Sequence, residues 1–290
     1  TVEIDPCLLP DCMPAPLHCG SAQSLSFEIR AASTPSTPKP VIDLVAPWSV
    51  DDPSGGNVTV SVHGSDLGGG SSGTTVSIPQ VVSNAGPAAG SSASQVDVAV
   101  SLSGGSVCGP RQLSLTTAGG TATATFNVTK PFAGSPNHWV TEAEGAELNG
   151  IKAQSLSGAS GGQVVAIAAA GAPGNLKLRF QVPATSSSYQ LYAVYGSPEP
   201  NASRADLTIR EAGNTVSYFK IALPMVPAGK TALRVLYDAT QSSPPTLLTL
   251  EAGKTYELEI ASRAGQRYPL FDLLVLSDGS LPPTLNELCL

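Results

Sequence analysis

Gln95-Val-Asp-Val-Ala-Val-Ser-Leu102 alternates large apolar residues with polar or small ones along its whole length. Successive side chains on a β-strand point to opposite faces, so this period of two gathers Val96, Val98, Val100 and Leu102 on one face. The same period recurs outward in both directions. It is found in Asn57-Val-Thr-Val-Ser-Val-His63, Thr74-Thr-Val-Ser-Ile78, Arg111-Gln-Leu-Ser-Leu-Thr116 and Thr121-Ala-Thr-Ala-Thr-Phe-Asn-Val128. Gly-rich breaks separate these stretches and no helical period intervenes, which predicts a β-sandwich over residues 40–130.

Pro131-Phe-Ala-Gly-Ser-Pro-Asn137 carries the breakers of a domain boundary. Beyond it, strands are again predicted, most clearly in Asn175-Leu-Lys-Leu-Arg-Phe-Gln-Val182, Ser188-Tyr-Gln-Leu-Tyr-Ala-Val-Tyr195 and Thr255-Tyr-Glu-Leu-Glu-Ile260. Their number exceeds what one sheet takes and suits a double-sheet jelly roll over 137–280. The expected organisation is a Cys-bearing, Pro-rich lead-in (1–39), the first sandwich, the jelly roll and a short tail (281–290). Residues 137–280 hold enough strands to complete a core of their own. The fold class is all-β.

Composition agrees with that class and points outside the cell. The chain of 290 residues has 29 Gly, 25 Pro and only 13% charged residues, with the helix formers scarce. Its formal net charge of -7, with 15 Lys and Arg scattered among 22 Asp and Glu, argues against a nucleic-acid partner. The longest apolar run, residues 164–170, is far short of the roughly 18 to 20 residues that span a bilayer. A start at Thr1 without Met fits a processed secreted protein and equally a trimmed chain; secretion is the favoured expectation. Cys7, Cys12, Cys19, Cys108 and Cys289 suit one or two disulfides with connectivity left open. The alternative zinc set of Cys7, Cys12, Cys19 and His18 lacks the paired spacing of a zinc site.

Two stretches resemble known families. Residues 60–67, Gly109-Pro110-Arg111 and residues 119–128 resemble the bacterial transcription-factor-type immunoglobulin (IPT/TIG) domain. That likeness implies an immunoglobulin-like spacer or interaction module without chemistry of its own. The second domain is similar to carbohydrate-binding modules of families 6 and 35. The residues that carry this likeness are Glu142-Ala-Glu144, Gly161-Gly162, Phe180-Gln-Val-Pro183, Tyr189-Gln-Leu-Tyr192, Leu250-Glu-Ala-Gly-Lys254 and Asp272. The resemblance implies a structural calcium site lined by Glu142, Glu144 and Asp272. The chain departs from the family pattern where Pro224-Met-Val-Pro-Ala-Gly229 replaces a loop with a sugar-stacking Trp; its two Trp residues are Trp48 and Trp139.

Apart from the resemblance, Glu142 and Glu144 read either as a solvated acidic strand edge or as ligands of a cation. If 142–144 continue a strand, Glu142 and Glu144 share a face about 7 Å apart, within reach of one hard cation with oxygen ligands. For a sugar, the candidates are Tyr189, Tyr192, Tyr195, Tyr218 and Tyr237, since an aromatic face stacks on a pyranose while the hydroxyl hydrogen-bonds. The Ala-Gly-Lys-Thr stretches at 228–231 and 252–255 lack the first glycine of a phosphate-binding loop. No nucleophile elbow occurs, and His18, His63 and His138 are far apart in sequence, so no catalytic set is predicted. Asn57, Asn127 and Asn201 begin formal glycosylation sequons.

The expectation is a non-catalytic secreted or cell-surface protein that binds extracellular polysaccharide through its jelly roll. The alternative is a structural or assembly protein of a bacterial surface or appendage, self-associating or joined to other surface proteins. A third is an accessory part of a secreted hydrolase.

Overall fold

The computed structural model describes residues 37–47, 49–51, 57–68, 73–79, 83–87, 91–101, 108–132, 137–167, 172–196, 203–240, 246–279 and 282–290. Cys7, Cys12, His18, Cys19, Trp48, Leu102 and Asn201 lie outside them, as does the side chain of Asn57. The chain divides into two compact units, Thr1–Thr37 and Pro38–Leu290, and every described strand belongs to the second. No α-helix occurs among the described residues, and no helix there is long and apolar enough to cross a membrane.

The first sandwich uses β1 (Val41–Ala46), β2 (Ser49–Asp51), β3 (Asn57–Ser65), β4 (Thr75–Ser77), β5 (Ser83–Pro87), β6 (Gln95–Ser101), β7 (Gly109–Thr117) and β8 (Gly120–Thr129). One sheet runs β1-β3-β6-β5 and the other β2-β8-β7-β4. Along β6 every second residue is buried. Val96, Val98 and Val100 lie opposite Val62, Val60 and Val58 of β3. Leu113, Leu115, Phe126 and Val128 of the facing sheet close the same core.

The second sandwich uses β9 (His138–Glu142), β10 (Glu147–Asn149), β11 (Ile151–Ser155), β12 (Gln163–Ile167), β13 (Asn175–Gln181), β14 (Ser186–Gly196), β15 (Ser203–Glu211), β16 (Asn214–Leu223), β17 (Ala232–Val235), β18 (Leu248–Leu250), β19 (Thr255–Ser262) and β20 (Leu270–Ser277). One sheet runs β10-β13-β19-β15-β16; the other runs β11-β12-β20-β14-β17, with β9 also pairing β20 and β18 pairing β14. All eight residues of β20 are buried. Phe271, Leu274 and Leu276 enter the core between the sheets. On the opposite face, Leu273 and Val275 join Val140, Tyr192 and Val194 beneath Phe132 and Leu288. The C-terminal segment is therefore a lid on the outer face of this sheet and not a loose tail. It is tied down by Lys130, whose N–H donates to the Glu287 carbonyl (3.1 Å) and whose Nζ donates to Asn286 Oδ1 (2.7 Å).

Two packing devices help to join the sandwiches. Ile42 and Val45 both face the first core although three residues apart, which strict alternation forbids; a bulge at Asp43 supplies the extra residue. Leu44 is thereby turned into the core of the second sandwich. The other device satisfies the free edge of β9. Val140 N–H donates to Ser49 Oγ (2.9 Å), and its carbonyl accepts from Asn127 Nδ2 (3.2 Å). Beside them Asp51 Oδ1 meets His138 Nε2 (2.8 Å) and accepts from Thr129 Oγ1 (2.9 Å), while the His138 ring stacks on Phe132 at 3.6 Å. These bonds fill backbone positions that an edge strand leaves open.

Candidate metal centre

Asp272 sits where the ladder around β20 is interrupted. On one side β9 pairs as far as Leu273, opposite Glu142, and β12 resumes at Phe271, opposite Val165. On the other side β14 places Val194 opposite Leu273 and Tyr195 opposite Phe271, leaving Asp272 as a bulge. Bulges re-aim a side chain, and here the Asp272 carboxylate is fully buried.

Two short turns fill the gap. Ala143–Gly145 forms a 3-10 turn after β9, and Ser160–Gly162 forms another before β12. The second turn needs its glycines, because Gly161 (φ 58°) and Gly162 (φ 74°) both take left-handed backbone. It presents Ser160, whose N–H donates to both oxygens of Asp272 (3.0 and 3.1 Å) and whose Oγ donates to Glu142 Oε1 (2.6 Å). Glu144 reaches the same place from the first turn, with its Oε1 3.5 Å from where a Cβ on Gly161 would stand.

The strand reading of 142–144 is corrected by this geometry. Ala143 is fully buried in the core, and that tertiary contact bends the chain out of the strand immediately after Glu142. Glu142 and Glu144 thus approach from a strand end and a turn, not from one face of one strand.

Burial is the main electrostatic fact of the cluster. It pushes the Glu142 carboxyl up to about 9, with the Glu144 and Asp272 charges adding to the rise against the Ser160 hydrogen bond. Glu144 is pushed up to about 7 by burial. Asp272 also rises to about 7, first by burial and then by the charge of Glu144. Glu142 Oε2 and Glu144 Oε2 are buried without a hydrogen-bond partner. Oxygen-only donors, concentrated negative charge and two orphaned carboxylate oxygens fit a hard cation such as calcium. Among the described residues, however, no three acidic, His or Cys side chains stand in ready-made ligating geometry.

The tyrosines do not assemble into a sugar platform. Tyr189, Tyr192 and Tyr195 are at most 4% exposed. Their hydroxyls donate inward, to the Ala184 carbonyl (2.6 Å), Gln190 Oε1 (2.8 Å) and the Pro224 carbonyl (2.9 Å). Burial of both ring faces leaves no surface for a pyranose. Trp139 is likewise in the core, tilted against Tyr189 at 5.6 Å. Tyr218 is half exposed on β16, and Tyr237 is half buried beyond β17. Cys289 bridges Cys108 of the first sandwich, one of the pairings the sequence left open. Asn127 is buried and hydrogen-bonded, which closes its sequon to glycosylation.

No protein-family model matches the sequence, and no curated protein is similar to it. Among solved structures the chain is similar to an isomalto-dextranase from Arthrobacter globiformis T6 complexed with panose, at 16% identity and a TM-score of 0.42. That match covers 78% of this chain but only 33% of the dextranase. It is also similar to a family 35 carbohydrate-binding module from Clostridium thermocellum (16% identity, TM-score 0.39, 48% of this chain and 96% of the module). A third likeness is to the C-terminal family 6 module of a laminarinase from Zobellia galactanivorans (16% identity, TM-score 0.34, 49% of this chain and 99% of the module). At such low identity and TM-score, these likenesses carry no weight for what this chain binds.

Proposed function

We propose that this chain is a non-catalytic extracellular protein of a bacterial surface or secreted system, in which an IPT/TIG-like spacer carries a polysaccharide-binding jelly roll braced by calcium. The observation that carries the reading is the buried cluster of Glu142, Glu144 and Asp272 where the first and last strands of the jelly roll meet. This is the site implied for calcium by the resemblance to family 6 and 35 modules. Glu142, Glu144 and Asp272 would hold the ion, which supplies positive charge against three clustered carboxylates. Ser160 orients two of them, and the bulge keeps Asp272 away from water.

Secretion is supported by the Cys108–Cys289 bridge, a bond that persists in oxidising compartments. A non-catalytic role is supported by His138, which is stacked under Phe132 and bonded to Asp51, where it cannot act as a base for substrate. A glycan array probed with calcium and with excess chelator tests the reading. Binding to one class of polysaccharide, weakened by chelator, is the expected result; no binding in either condition rejects it. The runner-up, a surface assembly protein without sugar binding, is favoured by the burial of Tyr189, Tyr192 and Tyr195. It predicts an empty array together with concentration-dependent oligomers in sedimentation.

A further inference from the structure

A cleft of about 320 Å³ opens where the sandwiches meet. Asp43, the bulge residue of β1, and Thr123 and Thr125 of β8 form one wall; Lys177 and Arg179 of β13 stand on the other. A second depression of about 420 Å³ lies on the outer face of the β13-β19-β15 sheet and includes Arg210, Glu211 and Lys254. The two depressions share Arg179 and Glu257, which are direct cross-strand neighbours on β13 and β19. They therefore meet on one rung of the sheet and form an elongated groove that begins between the domains.

We infer that this groove is the binding site for a neutral, linear polysaccharide, lying across both sandwiches; the inference rests on the polysaccharide-binding reading. Two observations set the ligand class and a third concerns the groove's rigidity. The charges along the groove are interleaved and paired: Lys254 bridges Glu211 (2.9 Å) and Glu251 (3.1 Å), Arg210 bridges Glu259 (2.6 Å) and Glu257 (3.6 Å), and Lys177 and Arg179 line it together with Asp43 and Glu147. It thus has no run of one sign to attract a charged polymer, but it presents donors and acceptors side by side. A sugar hydroxyl both donates and accepts, so an uncharged polyhydroxylated chain matches such a lining along its length. Among the described residues the lining also offers no aromatic face, since the one aromatic residue among them, Tyr256, is 2% exposed. Recognition then proceeds through hydrogen bonds without stacking. Finally, Leu44 and the Ser49–Val140–Asn127 contacts hold the two walls in register, so the groove is formed before the ligand arrives.

The test is isothermal titration of the whole chain against soluble neutral polysaccharides and uronic-acid polysaccharides, at low and high salt. Two variants are compared with the native chain: K177A/R179A, which removes donors from one wall, and Thr125→Trp, which fills the cleft from the other. Thermal melts confirm that each is folded. The expected result is binding of a neutral chain, insensitive to salt, weakened by at least about tenfold in each variant. Native binding with full affinity in both folded variants overturns the groove while leaving the polysaccharide reading intact. Salt-sensitive binding of acidic chains alone overturns the neutral assignment. If the native chain binds nothing, the polysaccharide reading falls and takes this inference with it.

Discussion

At the scale of single residues, Glu142 and its neighbours link stability to both proton and metal. In metal-free protein, burial and the neighbouring charges hold Glu142 at about 9 against an ordinary value of 4.5. A group whose folded-state pKa is raised stabilises the fold fully below its unfolded pKa, and that contribution is lost as pH rises through the folded value. In excess chelator the melting temperature should therefore fall as pH rises from about 4.5 to about 9. Saturating calcium should reverse the trend, because the ligands must then be ionised. Melting curves across that range, with chelator and with calcium, check both signs; a chelator curve that climbs with pH would show the cluster to be paired by other means. Val140 makes a separate case. Removing its partners by Asn127→Ala or Ser49→Ala leaves a buried carbonyl or N–H unpaired, at a cost of about 1–3 kcal/mol each in urea unfolding.

At the scale of elements, β6 and β20 mark what the sequence could and could not convey. The alternation of Val96, Val98 and Val100 is a local property, and the strand follows it residue by residue. In β20, by contrast, Leu270-Phe-Asp-Leu-Leu-Val-Leu276 is buried on both faces, a cover that the sequence reading did not assign. What covers the second face was not legible, because Leu288 arrives from far along the chain and is held there by a disulfide whose partner no spacing rule gives. The acidic cluster was legible as residues but not as geometry, since the turn after Glu142 depends on the core contact of Ala143. Tyr189, Tyr192 and Tyr195 carried the opposite ambiguity: an aromatic in a strand looks alike in sequence whether it faces a ligand or the core. The lid also gives a prediction. Cys108→Ala with Cys289→Ala should destabilise the chain by about 2–4 kcal/mol. It should also raise binding of a hydrophobic dye as Val194, Leu273 and Val275 become uncovered. Unchanged dye binding would mean that Leu288 holds the lid without the bridge.

At the scale of the molecule, residues 38–290 should unfold as one cooperative unit, because each sandwich completes the other. A fragment of residues 137–280 keeps the core between its own sheets but loses Leu44, Phe132, Leu288 and both partners of Val140. It should melt well below the 38–290 unit in scanning calorimetry; equal melting temperatures would show that the sandwiches are independent. The Cys108–Cys289 bond has a mechanical consequence as well. A tension applied between Pro38 and Leu290 passes through the bridge and bypasses the loop spanned by its 181-residue separation, which contains the whole jelly roll. Only the stretch from residue 38 to residue 107 can then be drawn out, to a length of about 240 Å at full extension. Pulled between Pro38 and Leu290, the chain is drawn out only over β1 to β6, and no load runs along the backbone of the jelly roll for as long as the bridge is oxidised.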